Sequence, residues 1–153
     1  MFLGTYHHSM DAKGRVSMPA RYRELLASQP EPGLILTINL GDAEQCVVVY
    51  PREPFARFAE KLTTVGPMDA QLERYARAIL PTSIEVSHDR QGRILIPGNL
   101  RELVGIDREV TWVGMYNRME LWDRNKWETA HRKDLAEVGD LNRLYAEFYN
   151  NNK

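Results

Sequence analysis

One cysteine, no surplus of either charge and no long apolar run define what this 153-residue chain lacks. Cys46 alone cannot close an internal disulfide. It stands in the run Cys46-Val47-Val48-Val49, which predicts a buried strand in a reducing compartment, the cytosol. With 20 basic against 21 acidic side chains the formal charge is -1, so no overall field draws the molecule to nucleic acid or an anionic membrane. Any anion site has to be local. No stretch approaches the ~18 apolar residues of a membrane span, and no basic-then-apolar leader follows Met1, so neither insertion nor secretion is expected. A composition of 43% hydrophobic and 27% charged residues suits a globular chain and excludes disorder, collagen and a disulfide mini-protein.

Catalytic and metal motifs are equally scarce. There is no P-loop, His-Glu-x-x-His, Gly-x-Ser-x-Gly or zinc-type cysteine pair. His7 and His8 are adjacent on a predicted strand and point to opposite faces, while His88 and His131 have no companion at ligand spacing; all four read as solvated or locally bonded. Asp11 and Asp89 are formally a carboxylate pair, but each has an arginine four residues on, which lowers its pKa and disfavours an acid role. Neither an enzyme, nor a metal, nor a cofactor, nor a small-molecule substrate is expected.

What the chain does have is a repeat. Residues 9–26 align with 87–104 at a constant offset of 78, with Ser9, Asp11, Gly14, Arg15, Pro19, Arg23, Glu24 and Leu25 identical in the second copy. Chance would give roughly one match. Tyr50 to Phe55 echoes Trp122 to Trp127 in its aromatic-Arg-aromatic spacing, segments that read as strand-end core or as a single-strand-binding interleave. The copies span about residues 5–52 and 81–125, near the lower size limit for a core, so they should share one. Each is predicted as β-β-α-β-β, giving an α+β, mainly β fold. Asp11 to Gly14 turns the chain, Val16 and Met18 point inward with Arg15 and Ser17 outward, and Pro19 opens a helix facing the core with Tyr22, Leu25 and Leu26. In copy two Pro97 precedes Leu100, Leu103 and Val104.

Helical spacing marks the connector 53–80, through Phe55, Phe58, Ala59 and Leu62, then Leu72, Tyr75, Ala76 and Ile79, with Gly66-Pro67 between the two helices. The extension 126–153 carries Leu141, Leu144, Tyr145 and Phe148 behind the potential caps Gly139-Asp140, before a polar tail from Asn150 that should fray. These stripes are expected to pack on their own domain; the last could instead dock into a partner groove.

The strongest polar signal is Asp11…Arg15 with its copy Asp89…Arg93. Structurally, such an Asp ties a turn and its Arg together. Functionally, Lys13, Arg21 and Arg23 add cations around Arg15, whereas copy two has Gln91 for Lys13, Asn99 for Arg21 and Leu95 for Ser17. This predicts divided labour, copy one toward an anionic partner and copy two toward protein. A guanidinium on a β-ribbon suits a guanine edge or a phosphate in the major groove, and so few cations would need an oligomer to hold DNA.

The segments Asp11-Ala12-Lys13-Gly14-Arg15-Val16-Ser17-Met18-Pro19 and Asp89-Arg90-Gln91-Gly92-Arg93-Ile94-Leu95-Ile96-Pro97, the start Met1-Phe2-x-Gly4 and Gly114 to Trp122 resemble the MraZ family of bacterial transcriptional regulators, in the AbrB/SpoVT/MazE-like swapped-hairpin group. That resemblance implies two AbrB-like halves folded as an intrachain pseudo-dimer β-barrel with additional helices. It also implies head-to-tail rings, a nucleoid-associated cytoplasmic location and binding to double-stranded DNA at short tandem promoter repeats upstream of a division and cell-wall gene cluster, with repression as the output. Arg15, Lys13, Asp11 and Arg21 are then the DNA-binding candidates, with Arg93 and Asp89 as their duplicates. The alternative is an antitoxin-type protein-interaction or scaffold module that does not read DNA.

Overall fold

The computed structural model describes residues 1–31, 33–41, 45–64 and 69–153. The expected Gly66-Pro67 break lies outside them. Copy one supplies β1 (Thr5–Ser9), β2 (Arg15–Ser17), α1 (Ala20–Ala27), β3 (Leu34–Leu40) and β4 (Gln45–Pro51). Copy two supplies β5 (Ile84–Val86), β6 (Arg93–Leu95), α4 (Gly98–Val104), β7 (Glu109–Gly114) and β8 (Met119–Asp123). The predicted β-β-α-β-β order is present twice. Helices α2 (Arg52–Thr64) and α3 (Ala70–Ile79) form the connector, and α5 (Arg124–Ala136) and α6 (Val138–Asn151) follow copy two. The architecture is α+β, with strands prevailing inside the copies and helices outside them.

Hydrogen bonding exchanges strands between the copies. The six-stranded antiparallel sheet runs β1-β7-β8-β4-β3-β5, so the first strand of each copy lies against the third strand of the other, and the two fourth strands meet in the middle. A separate ribbon joins β2 to β6, with Arg15 opposite Leu95, Val16 opposite Ile94 and Ser17 opposite Arg93. Neither copy can complete its sheet alone, which is the physical form of the shared core expected from 45-residue units.

Val16, Met18, Tyr22 and Leu26 from copy one meet Ile94, Ile96, Leu100 and Val104 from copy two in that core, with Trp112 beneath. Cys46 is fully buried in β4, as its apolar run predicted. On a second cluster Trp127 of α5 sits edge-on to Trp122 at 5.4 Å, and Tyr50 lies 5.7 Å from Phe55, so these aromatics are packed side chains.

Three expectations are corrected. Leu103 is 45% exposed, because α4 is only seven residues long before Gly105 (φ 67) ends it, and its inward stripe is the i, i+4 pair Leu100 and Val104. Tyr75 on α3 also faces outward. The stripe on α6 does not pack on its own domain: Leu144, Tyr145 and Phe148 are 63–68% exposed, and the helix finds its main packing partner in α5. It starts at Val138, ahead of the expected caps, without a side-chain cap, and continues through Asn150 and Asn151.

Candidate functional site

Both Asp-x-x-x-Arg turns close by the same bonds. Asp11 Oδ1 accepts the backbone N–H groups of Lys13 and Arg15 at 3.0 and 2.9 Å, and its Oδ2 accepts Arg15 Nε at 2.6 Å. Asp89 accepts Gln91 N–H and Arg93 N–H at 2.8 and 3.0 Å and Arg93 Nε at 2.9 Å. Main-chain bonds from Asp11 N–H to the Arg15 carbonyl and from Gly14 N–H to the Asp11 carbonyl have counterparts at Asp89, Arg93 and Gly92. This explains the spacing: a carboxylate two residues before one N–H and four before another satisfies both, leaving one oxygen for the guanidinium. The backbone bond from Arg15, then its side chain, holds the Asp11 carboxyl below the usual range despite some opposing desolvation; Arg93 does the same to Asp89.

The turns are locked to each other. Ile96 N–H donates to the Gly14 carbonyl at 2.8 Å and Met18 N–H to the Gly92 carbonyl at 2.9 Å. Gly14 (φ 88) and Gly92 (φ 74) take left-handed conformations, and each is covered by an arginine of the other copy, Arg101 over Gly14 and Arg23 over Gly92. Arg23 is therefore not among the cations around Arg15, which corrects the sequence expectation; its Nε is buried without a hydrogen bond among the described residues. Arg101 donates from Nε to the Ile96 carbonyl at 3.1 Å. Its identity with Arg23 in the repeat was the available signal for this crossing.

Alternation on the ribbon sets what faces outward. Val16 and Ile94 are buried, so Arg15, Ser17, Arg93 and Leu95 form the outer face. Arg15 and Arg93 occupy diagonal positions, about 7–8 Å apart at Cα. Their side chains retain 38% and 31% exposure, and with Nε on the carboxylate, the outer guanidinium nitrogens of both make no hydrogen bond among the described residues. The face is mounted firmly: Trp112 Nε1 donates to the Ser17 carbonyl at 3.1 Å, and His8 Nδ1 lies 2.8 Å from Ser17 Oγ. Burial lowers the His8 pKa. His7 bonds Thr111 and His131 stacks on Trp127, so these histidines are locally engaged.

Lys13 is exposed at the tip of the first turn. Arg21 stands on α1, exposed, with Glu24 at 3.4 Å as its ionic partner. The structure thus brings Arg15 and Arg93 onto one face with their clasping carboxylates Asp11 and Asp89, places Lys13 at one end of the ribbon, and leaves Arg21 on a helix beside it. Among the described residues no group of three His, Cys, Asp or Glu side chains could hold a metal ion, and no helix is long and apolar enough to cross a membrane.

A doubled hairpin unit that exchanges strands between its copies and lifts two clasped arginines onto one ribbon defines the class, an α+β protein built from two interlocked copies of one motif. Within it, the family model described as "MraZ protein, putative antitoxin-like" matches residues 1–77 and 79–140. Among curated proteins, "Transcriptional regulator MraZ" of Moorella thermoacetica is 41% identical over 148 residues, 97% of this chain and 99% of that protein. Proteins of the same name from Lachnoclostridium phytofermentans, 37% identical over 92% of this chain and 94% of theirs, and from Pseudomonas fluorescens, 35% identical over 90% of each, are also similar. The chain belongs to the MraZ family.

Proposed function

We propose that the outer face of the ribbon binds duplex DNA and that the protein is a transcriptional regulator, as its relatives are named. The observation that carries this reading is the pair of outward guanidiniums, Arg15 and Arg93, each fixed by its carboxylate at Nε and open at its outer nitrogens. A two-stranded ribbon fits the major groove, and a guanidinium so oriented can bond a guanine edge or a phosphate bidentately. Lys13 and Arg21 add phosphate contacts, while Asp11 and Asp89 aim the arginines. The shared face supports counting Arg93 with Arg15 as a DNA residue.

In this reading residues 5–52 and 81–125 are two AbrB-like repeats acting as one pseudo-dimer, their two sheets wrapped as a barrel around the common core, with 53–80 as connector and 126–153 as extension. Two arginines and one or two further cations hold DNA weakly, since sequence-independent affinity scales with phosphates neutralised. Copies joined head to tail into a ring and set on tandem promoter boxes in the nucleoid would sum those contacts. Obstruction of polymerase at its own division and cell-wall gene cluster then gives repression. An electrophoretic shift with DNA from upstream of its own gene tests the reading. Arg15→Ala should weaken the complex about 10- to 100-fold with oligomer size unchanged, and affinity should fall with added salt. Unchanged affinity in that variant, or a flat salt response, would remove the assignment.

A second reading, an antitoxin-type module that binds a protein partner, is favoured by the exposed apolar stripe of α6. Absence of any shift with intact protein would select it.

A further inference from the structure

We propose that Leu95 reads a thymine methyl group beside the base contacted by Arg15. This rests on the DNA-binding reading of the ribbon. Leu95 is 52% exposed on the outer face, directly opposite Arg15 in the β2–β6 register. Side chains so paired stand about 4.5–5.5 Å apart at Cβ, between one and two base-pair rises of about 3.4 Å, so a groove that admits the guanidinium also receives the isobutyl group at a neighbouring step. The apolar group displayed by the bases in the major groove is the C5 methyl of thymine.

The other end of the ribbon supplies the contrast. At the repeat-equivalent position stands Ser17, opposite Arg93, and its hydroxyl lies 2.8 Å from His8 Nδ1. One arginine therefore has an apolar neighbour and the other a polar one already engaged by the protein. Packing does not explain Leu95, because the inward positions of β6 and of its flank are filled by Ile94 and Ile96, both buried. An apolar side chain held in water opposite a guanidinium becomes favourable when a methyl group covers it.

The full-length protein is used to select binding sites from random duplexes, and each thymine of the selected site is then replaced singly by uracil, which deletes only the methyl. One replacement should weaken the wild-type complex about fourfold. Leu95→Ala should bind the thymine duplex as weakly as wild type binds the uracil one, lose nothing more on replacement, and keep its salt slope and oligomer size. Indifference of wild type to every replacement overturns the proposal while leaving DNA binding intact. Persistence of the uracil penalty in Leu95→Ala, or a smaller oligomer, also overturns it, the latter assigning Leu95 to a protein contact. Failure of wild type to select any duplex overturns both this proposal and the reading beneath it.

Discussion

The two clasped turns agree bond for bond and disagree in what surrounds them. Asp11 and Asp89 accept the same two N–H groups and the same Nε, and Gly14 and Gly92 bend the chain in the same left-handed region. Yet the first carries Lys13 at its tip and Leu95 across from its arginine, and the second carries Gln91 and Ser17. The Asp, Gly and Arg that fix the turn are identical in the two copies, whereas outward positions differ. The lesson is that duplication preserved a mounting and left its fittings to differ.

The sharpest way to break the equivalence is at the glycines. A Cβ on Gly14 would lie 2.7 Å from the Ile96 carbonyl, a backbone atom locked in the ribbon, whereas on Gly92 it would meet only side-chain atoms of Arg23, which can shift without moving the backbone. Both alanine variants carry the left-handed penalty of about 1–2 kcal/mol. Gly14→Ala should add a clash that cannot relax, for a total of about 2–4 kcal/mol in urea unfolding, and Gly92→Ala should stay near the bare penalty. Equal losses would mean that the turns are mechanically interchangeable. Next in size, Arg93→Ala should cost DNA affinity comparably to Arg15→Ala, about 1–3 kcal/mol, in a filter-binding titration. A smaller sedimenting species that loses only the affinity due to multiplicity would instead restore the division of labour between the copies.

Acid sharpens the likeness. Both carboxyls have folded pKa values depressed chiefly by the N–H of their own arginine, so the stability they contribute is complete above the unfolded carboxylate value of about 4 and is lost as pH falls through the lower folded values. Asp11→Asn and Asp89→Asn should each destabilise at pH 7 and by progressively less below about pH 4, where the wild-type carboxyls are themselves protonated. Penalties that persist at pH 2 would assign the turns' stability to shape rather than charge.

The turns were legible because everything that makes them is local: an Asp two and four residues from the N–H groups it accepts, a Gly where φ must be positive, and a strand alternating Arg15, Val16, Ser17. The α6 stripe is not legible for the converse reason. Apolar spacing announces that a helix has a face to bury but not against what, and Leu144, Tyr145 and Phe148 meet solvent. Pairing between copies, β1 on β7 and β5 on β3, joins residues about a hundred or fifty positions apart, a separation that no window along the chain records. The same distance hid Arg23, whose side chain covers Gly92 rather than supporting Arg15. An arginine retained in both copies on the first turns of a core-facing helix was the clue that it served the fold.

The smallest difference between the copies is Arg21 against Asn99. Arg21 is exposed, and its partner Glu24 at 3.4 Å is exposed too, so the pair adds little to folding. Arg21→Asn therefore makes copy one resemble copy two at this position and should move the unfolding midpoint by no more than about 0.5 kcal/mol equivalent. If Arg21 touches a phosphate, the slope of log affinity against log salt should shallow by about 1, with loss uniform across DNA sequences. If the slope stays put, Arg21 lies off the DNA and the polyanion contact is confined to the ribbon and Lys13. Because copy two has no cation there to compensate, the two outcomes also say whether DNA leans toward α1 or sits evenly across both turns.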